Sequence, residues 1–96
     1  MAARRLLAAI VRRAVLDFAL YKDCDKEEAP TRYALAVDAA GWLWFDGEEP
    51  YDDQGRYTYR YICTLLGVNP TAIREAALEL TREDLHRFNG DSGRLG

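Results

Sequence analysis

The sequence predicts a small all-α domain, a bundle of four to five helices, and three observations support this prediction. Apolar residues recur at steps of three and four over residues 2–21 and 31–45, which places them on one side of a helix. Residues 59–80 hold two shorter apolar stretches separated by Gly67 and an Asn-Pro pair, residues that end one helix and begin the next. The chain has 96 residues, 49% of them hydrophobic, which is enough for one core but not for two.

The first two helices are predicted from this apolar periodicity. The first covers residues 2–21 and the second about 31–45, with an acidic stretch before Pro30 between them. The apolar positions are Leu7, Val11, Ala14, Phe18 and Tyr21 in the first helix and Tyr33, Val37, Ala40 and Trp44 in the second. Gly41 weakens the second helix by about 1 kcal/mol relative to alanine. We therefore expect another helix to pack closely at that glycine.

Two further segments complete the predicted domain. Residues 46–55 have no apolar period and contain three helix-breaking residues, so they are predicted to form a loop. Thr81 and Asp84 have the spacing of a capping box, which predicts a short fifth helix over residues 82–88. Residues 89–96 hold three glycines and are predicted to be a flexible tail. Residues 1–88 should therefore form a single helical domain.

The segment 59–80 carries the most specific pattern in the chain. Gly67 suits the left-handed end of a helix, and Asn69 and Pro70 suit the N-cap and first residue of the next one. The positions expected to be buried are Ile62, Cys63, Leu66, Val68, Ile73 and Ala76. The run 66–74 closely resembles the turn and the start of the recognition helix in small bacterial and phage helix-turn-helix DNA-binding regulators. This resemblance covers residues 59–78.

The resemblance implies a DNA-binding transcriptional regulator whose recognition helix, at about residues 70–80, enters the major groove of double-stranded DNA. The side chains implied to face base edges are Thr71, Ala72, Arg74, Glu75 and Leu78, and those implied to meet phosphates are Arg56, Thr58, Tyr59, Arg60 and Asn69. Arg74 would be the best base reader, because arginine can bond guanine at two points. Because one short helix reads few bases, the resemblance also implies a homodimer, with the long first helix as its seam.

The charge distribution favours a different hypothesis. The formal net charge is −3, but residues 1–22 carry +4, residues 23–53 carry −8 and residues 54–96 carry +1. An acidic middle argues against a general nucleic-acid binder, which usually has a basic surface. The alternative is a protein-protein interaction module, an adaptor or phage-type inhibitor of a host protein, in which the acidic and aromatic 44–57 region binds a basic partner and the two-helix unit is only a scaffold. The residues expected to contact such a partner are Trp44, Phe45, Asp46, Glu48, Glu49, Tyr51, Asp52 and Asp53.

The two hypotheses predict different surroundings for three arginines. DNA binding predicts that Arg56, Arg60 and Arg74 converge into a positive patch, with the acidic segment turned away. Protein interaction predicts that these arginines are dispersed or paired with Glu75 and Glu79. It also predicts an exposed apolar patch beside the acidic segment.

Catalysis and metal binding have little support in the sequence. The cysteines Cys24 and Cys63 and the single histidine, His86, lie far apart, whereas structural zinc needs four ligands at close pair spacings. The only serine, Ser92, lies in the tail without a plausible base. We therefore predict no enzymatic activity, no cofactor and no metal. No apolar run reaches the roughly 18 residues of a membrane span, and we expect a cytoplasmic protein whose thiols are reduced.

Overall fold

The structure is a computed structural model that describes residues 2–80. This range contains four helices. They are α1 (Ala2–Tyr21), α2 (Pro30–Leu43), α3 (Tyr59–Leu66) and α4 (Pro70–Glu79). No strand occurs within this range, which has only an isolated antiparallel bridge between Tyr51 and Tyr57. The all-α prediction is therefore confirmed for residues 2–80. The predicted fifth helix at 82–88 and tail at 89–96 lie outside the described residues.

The core lies where α1, α2 and α3 meet. Partly buried side chains of α1, α3 and α4, together with Trp44 just after α2, pack around its buried residues, which are Val11, Trp42, Leu43, Tyr59, Ile62 and Cys63. The most extensive packing is between α1 and α2, because a helix of 20 residues is long enough to cover the whole of the shorter one. Leu43 and Ile62 are fully buried, and each such side chain contributes about 1.5–3 kcal/mol of apolar burial.

The buried face of α2 differs from the predicted one. Ala36, Ala39 and Leu43 are buried and share one face by their spacing of three and four. Val37, which we expected in the core, is 53% exposed, because the helix is rotated so that the neighbouring small residue, Ala36, is buried instead. The close helix contact expected at Gly41 is also absent, since a Cβ atom there would meet nothing within 4 Å.

The connection between α3 and α4 is built as its sequence predicts. Gly67 ends α3 in the left-handed conformation, with φ of +71°, and its N–H donates to the carbonyl oxygen of Thr64. The side chain of Asn69 caps α4 by accepting hydrogen bonds from the N–H groups of Thr71 (2.9 Å) and Ala72 (3.2 Å). Two short helices with a three-residue connection therefore exist at the predicted bounds.

Burial within this two-helix unit follows the predicted pattern only in part. Ile62 and Cys63 are buried as predicted, but Val68 is 40% exposed. Its N–H donates to the carbonyl oxygen of Cys63, which closes the end of α3 and leaves its side chain outside the core. Ala76 is exposed and Ala77 is buried in its place. Leu66 and Ile73 pack against the core as predicted, so the inward face of α4 departs from the expected one only in burying Ala77 instead of Ala76.

Candidate partner-binding surface

Arg74 fixes the start of the segment between α2 and α3. Its Nε donates to the carbonyl oxygen of Leu43 at 2.6 Å, and its Nη2 donates to that of Phe45 at 3.1 Å. Its Nη1 reaches Oδ1 of Asp46 at 3.1 Å, and the guanidinium lies 4.9 Å from the centre of the Tyr59 ring. The planar guanidinium can bond several oxygens at once, so Arg74 holds together the carbonyl end of α2 and the chain that leaves it.

Two buried donors fix the other end of the segment. Trp42 Nε1 donates to the carbonyl oxygen of Tyr57 at 2.8 Å. Thr58 Oγ1 donates to the carbonyl oxygen of Glu49 at 2.6 Å, and the N–H of Thr58 donates to that of Pro50 at 3.0 Å. These bonds tie residues before and after the loop tip to the core, so the loop leaves and returns at fixed points.

The loop tip is organised by one aspartate. Asp52 Oδ1 accepts hydrogen bonds from the N–H groups of Gln54 and Arg56, both at 2.9 Å, and its Oδ2 accepts one from Arg56 Nε at 3.1 Å. The backbone bond from Arg56 is the main reason that the pKa of Asp52 is lowered from its ordinary value of 3.8. Gly55 completes the turn with φ of +79°, a conformation that favours glycine.

Exposed aromatic rings flank this tip. The rings of Tyr51 and Tyr57 stack with centres 5.0 Å apart, and Tyr61 continues the stack at 5.7 Å from Tyr57. Phe45 is 44% exposed, and its ring lies so close to Gly47 that any side chain at position 47 would displace it. The rings therefore form an ordered apolar surface beside the acidic residues.

Three carboxylates on the loop are available to a partner. Glu48, Glu49 and Asp53 are exposed, and none of them forms an ion pair with another residue in the range 2–80. Together with Phe45 and Tyr51 they line a depression of about 500 Å³. We call these five residues the acidic-aromatic surface.

An apolar groove adjoins this surface on the other side of Tyr51. It has a volume of about 480 Å³ and lies between α1, α2 and the loop. Its apolar lining comes from Ile10, Ala14, Ala39, Trp42 and Ile62, with Tyr51 and Tyr57 on the loop side. This groove could not be predicted from the sequence, since its walls belong to segments up to about fifty residues apart.

The eight predicted partner-contacting residues divide into two groups. Five of them form the acidic-aromatic surface. The other three have internal contacts: Trp44 packs on Phe18 with ring centres 5.0 Å apart, Asp46 binds Arg60 and Arg74, and Asp52 builds the turn. Trp44 is therefore held against α1, and Asp52 shapes the loop while also lining the depression. Asp46 remains accessible, with a side chain that is 74% exposed.

Three of the predicted DNA-contacting residues expose little or none of their side chains. Thr58 and Tyr59 are 0% exposed, and the hydroxyl of Tyr59 donates to the carbonyl oxygen of Pro70. Only 15% of the Arg74 side chain is exposed, because its donors are engaged by the end of α2. Burial raises the pKa values of Tyr59 and of its neighbour Cys63, which keeps both groups protonated and inert.

The remaining basic candidates are paired with the acidic segment. Arg60 lies 3.8 Å from Asp46, and Arg56 pairs with Asp52 at 3.1 Å and with Asp38 at 3.5 Å. Arg60 and Arg74 do converge, but both lie next to Asp46. The DNA hypothesis predicted that the acidic segment, which includes Asp46, points away from these arginines. The pairing partners are not the predicted Glu75 and Glu79. The exposed predicted positions on α4 are Thr71, Ala72, Glu75 and Leu78, and Asn69 is used as the helix cap.

Comparisons of the chain with protein-family models, with curated proteins and with solved structures found no match. Among the described residues, no helix is both long and apolar enough to cross a membrane. The same part of the chain contains no group of three or more His, Cys, Asp or Glu residues that could hold a metal ion.

Proposed function

We propose that this chain is a protein-protein interaction module that binds a basic segment of a partner protein through the acidic-aromatic surface. The observation that carries the proposal is a combination on one loop that is fixed at both ends: three exposed carboxylates, which form no ion pair within residues 2–80, and two exposed aromatic rings. Aromatic side chains supply much of the binding energy in protein interfaces. Carboxylates accelerate encounter with a cationic partner and determine its orientation.

The fixed loop ends favour binding in a second way. A flexible loop loses conformational entropy when it binds, and that loss reduces affinity. Here the bonds from Arg74, Trp42 and Thr58 order the backbone before any partner arrives. Most of the energy of the new contacts is therefore available for binding.

DNA binding through α4 has less support. Arg74 is the only basic residue in that helix, and its donors are occupied within the chain. The exposed residues Glu75 and Glu79 add negative charge to the face that would approach phosphates. A DNA reader needs cations on that face, so the two-helix unit is better understood as the scaffold that positions Arg74 under the loop. Homodimerisation along α1 stays a prediction.

The test compares binding of labelled peptides rich in lysine and arginine to three proteins. The first is the unchanged chain, and the second carries Glu48→Gln, Glu49→Gln and Asp53→Asn. The third carries Asp23→Asn, Glu27→Gln and Glu28→Gln in the other acidic loop, which changes the net charge equally at exposed positions. Fluorescence anisotropy is measured at low and moderate salt. Mixed-sequence double-stranded DNA is titrated in parallel.

We expect the first triple variant to weaken peptide binding about tenfold or more, because each lost carboxylate removes a charge contact, and the second to change it little. Equal losses in both variants would mean that only net charge matters and would overturn the proposed surface. Salt-sensitive binding of DNA without peptide binding would restore the DNA hypothesis.

A further inference from the structure

We infer that the apolar groove receives a bulky apolar side chain of the same basic partner segment, so that the partner carries an aliphatic or aromatic residue next to its lysines and arginines. This inference rests on the proposed function, because it identifies the chemistry of the partner that the acidic-aromatic surface binds. It adds a second contact, made by residues of α1 and α2 that belong to neither predicted site.

The charges at the groove indicate a neutral occupant. The two cations at its edge are already paired: Arg13 lies 3.2 Å from Asp17, and Arg56 lies 3.5 Å from Asp38. The groove therefore has no net charge to offer a charged group. Charged side chains of the partner are better placed on the neighbouring acidic-aromatic surface.

The buried polar groups of the groove are satisfied as well. The indole N–H of Trp42 already donates to Tyr57, and among the described residues no buried side-chain nitrogen or oxygen lacks a hydrogen-bond partner. At the buried floor of the groove, an occupant therefore gains by removing apolar surface from water. The volume of about 480 Å³ is within the range of ligand pockets, about 300–1,000 Å³, and is sufficient for one large side chain.

Tyr51 joins the two sites. Its side chain lines the groove on one side and the acidic depression on the other, and it is 56% exposed. One partner segment that crosses this ring can place a cation among the carboxylates and an apolar residue in the groove. Recognition of both features together distinguishes this partner from a segment that is merely basic.

The inference is tested with two labelled peptides that differ at one position, a leucine in the first and a serine in the second, within the same lysine- and arginine-rich sequence. Binding is measured for the unchanged chain, for Ile10→Asp, and for Ile10→Ala, which removes the groove wall without adding charge. Leu6→Asp is the matched control, because Leu6 lies one turn earlier on α1, is 64% exposed and does not line the groove. Circular dichroism verifies that each variant is folded, and sedimentation gives its oligomeric state.

We expect the leucine peptide to bind the unchanged chain and Leu6→Asp about tenfold more tightly than the serine peptide. In both Ile10 variants this preference should fall below about threefold. Equal binding of the two peptides to the unchanged chain would overturn the proposed role of the groove. It would not contradict binding through the acidic-aromatic surface. If the unchanged chain bound neither peptide, both proposals would be overturned. A dimer that Ile10→Asp converts to a monomer would show that a second copy fills the groove, which also overturns this inference.

Discussion

Two acidic loops within residues 2–80 are built alike and positioned differently. Residues 23–28 lie between α1 and α2, and residues 46–53 lie between α2 and α3. Each loop is folded around an aspartate: Asp25 accepts hydrogen bonds from the N–H groups of Glu27 and Glu28, and Asp52 accepts them from those of Gln54 and Arg56. Local hydrogen bonding of this kind is common for aspartate in turns.

The loops differ in what surrounds these turns. The first contains no aromatic residue between Asp23 and Pro30, whereas the second is flanked by Phe45, Tyr51 and Tyr57 and is tied to the core on both sides. The first loop, which is acidic but has no aromatic residue, is therefore an exposed connection between two helices. Acidic composition on a loop fixed by long-range bonds, and placed beside exposed rings, produces a surface that can select a partner.

The attachment of the second loop to the core depends most on Arg74. We expect Arg74→Ala to lower the free energy of unfolding by about 2–4 kcal/mol, because it leaves the buried carbonyl of Leu43 without its donor and releases the second loop. Arg60→Ala is the control: its side chain is 40% exposed and its ion pair is long, so the loss should stay below about 1 kcal/mol. Urea denaturation measures both. Equal small losses would mean that the loop is held without Arg74.

Thr58 provides the next largest effect. Thr58→Val keeps the side-chain shape but removes the donor to Glu49, and we expect it to lower the free energy of unfolding by about 1–2 kcal/mol. The matched control is Thr64→Val, whose hydroxyl donates to the carbonyl oxygen of Arg60 within α3 at an exposed site. That change should be nearly neutral. A loss as large in Thr64→Val as in Thr58→Val would contradict a specific tether of the second loop.

The turn at Asp52 should depend on pH. Because its folded pKa is lower than its unfolded pKa, the stabilisation is fully present above the unfolded value and is lost as pH falls through the folded one. The amide resonances of Gln54 and Arg56 should therefore shift together at a pH below 3.8, as NMR can record. Asp52→Asn should abolish this shift. A midpoint at or above 3.8 would contradict the lowered pKa.

The smallest effect is expected in the first loop. Asp25→Ala should change the free energy of unfolding by about 0.5 kcal/mol or less, as for most exposed surface positions. It should nevertheless speed hydrogen exchange at the amides of Glu27 and Glu28, which lose their acceptor. If Asp25→Ala destabilised the protein as much as Thr58→Val, the two loops would be equally tied to the core. That result would contradict the difference in attachment between them.

Local features of the fold could be predicted because their causes lie close together in the chain. The bounds of α1 follow from its own periodicity, and the end of α3 and start of α4 follow from Gly67 and Asn69. Which side chains turn toward the core was harder to predict, as Val37, Val68 and Ala76 illustrate. Which residue of an apolar stretch turns inward depends on the helix packed against it, and periodicity fixes that only to within about one residue.

The candidate site shows the same division. Composition marked the acidic and aromatic residues of the 44–57 region, because charge and ring content can be read from the sequence. The role of Arg74 could not be read in this way: it bonds a carbonyl 31 residues away in the sequence, and an exposed arginine on a recognition helix has the same local sequence.

By itself, then, the sequence determined the helical class, the four helices within residues 2–80 and the acidic-aromatic character of one loop, since propensity, capping and charge are properties of neighbouring residues. The pairing of Arg56, Arg60 and Arg74 with the acidic segment, and the groove between α1, α2 and the loop, are visible only in the folded chain. The physical reason is that ion pairs and grooves form between residues that the fold brings together, and their energies depend on distances that no local pattern encodes.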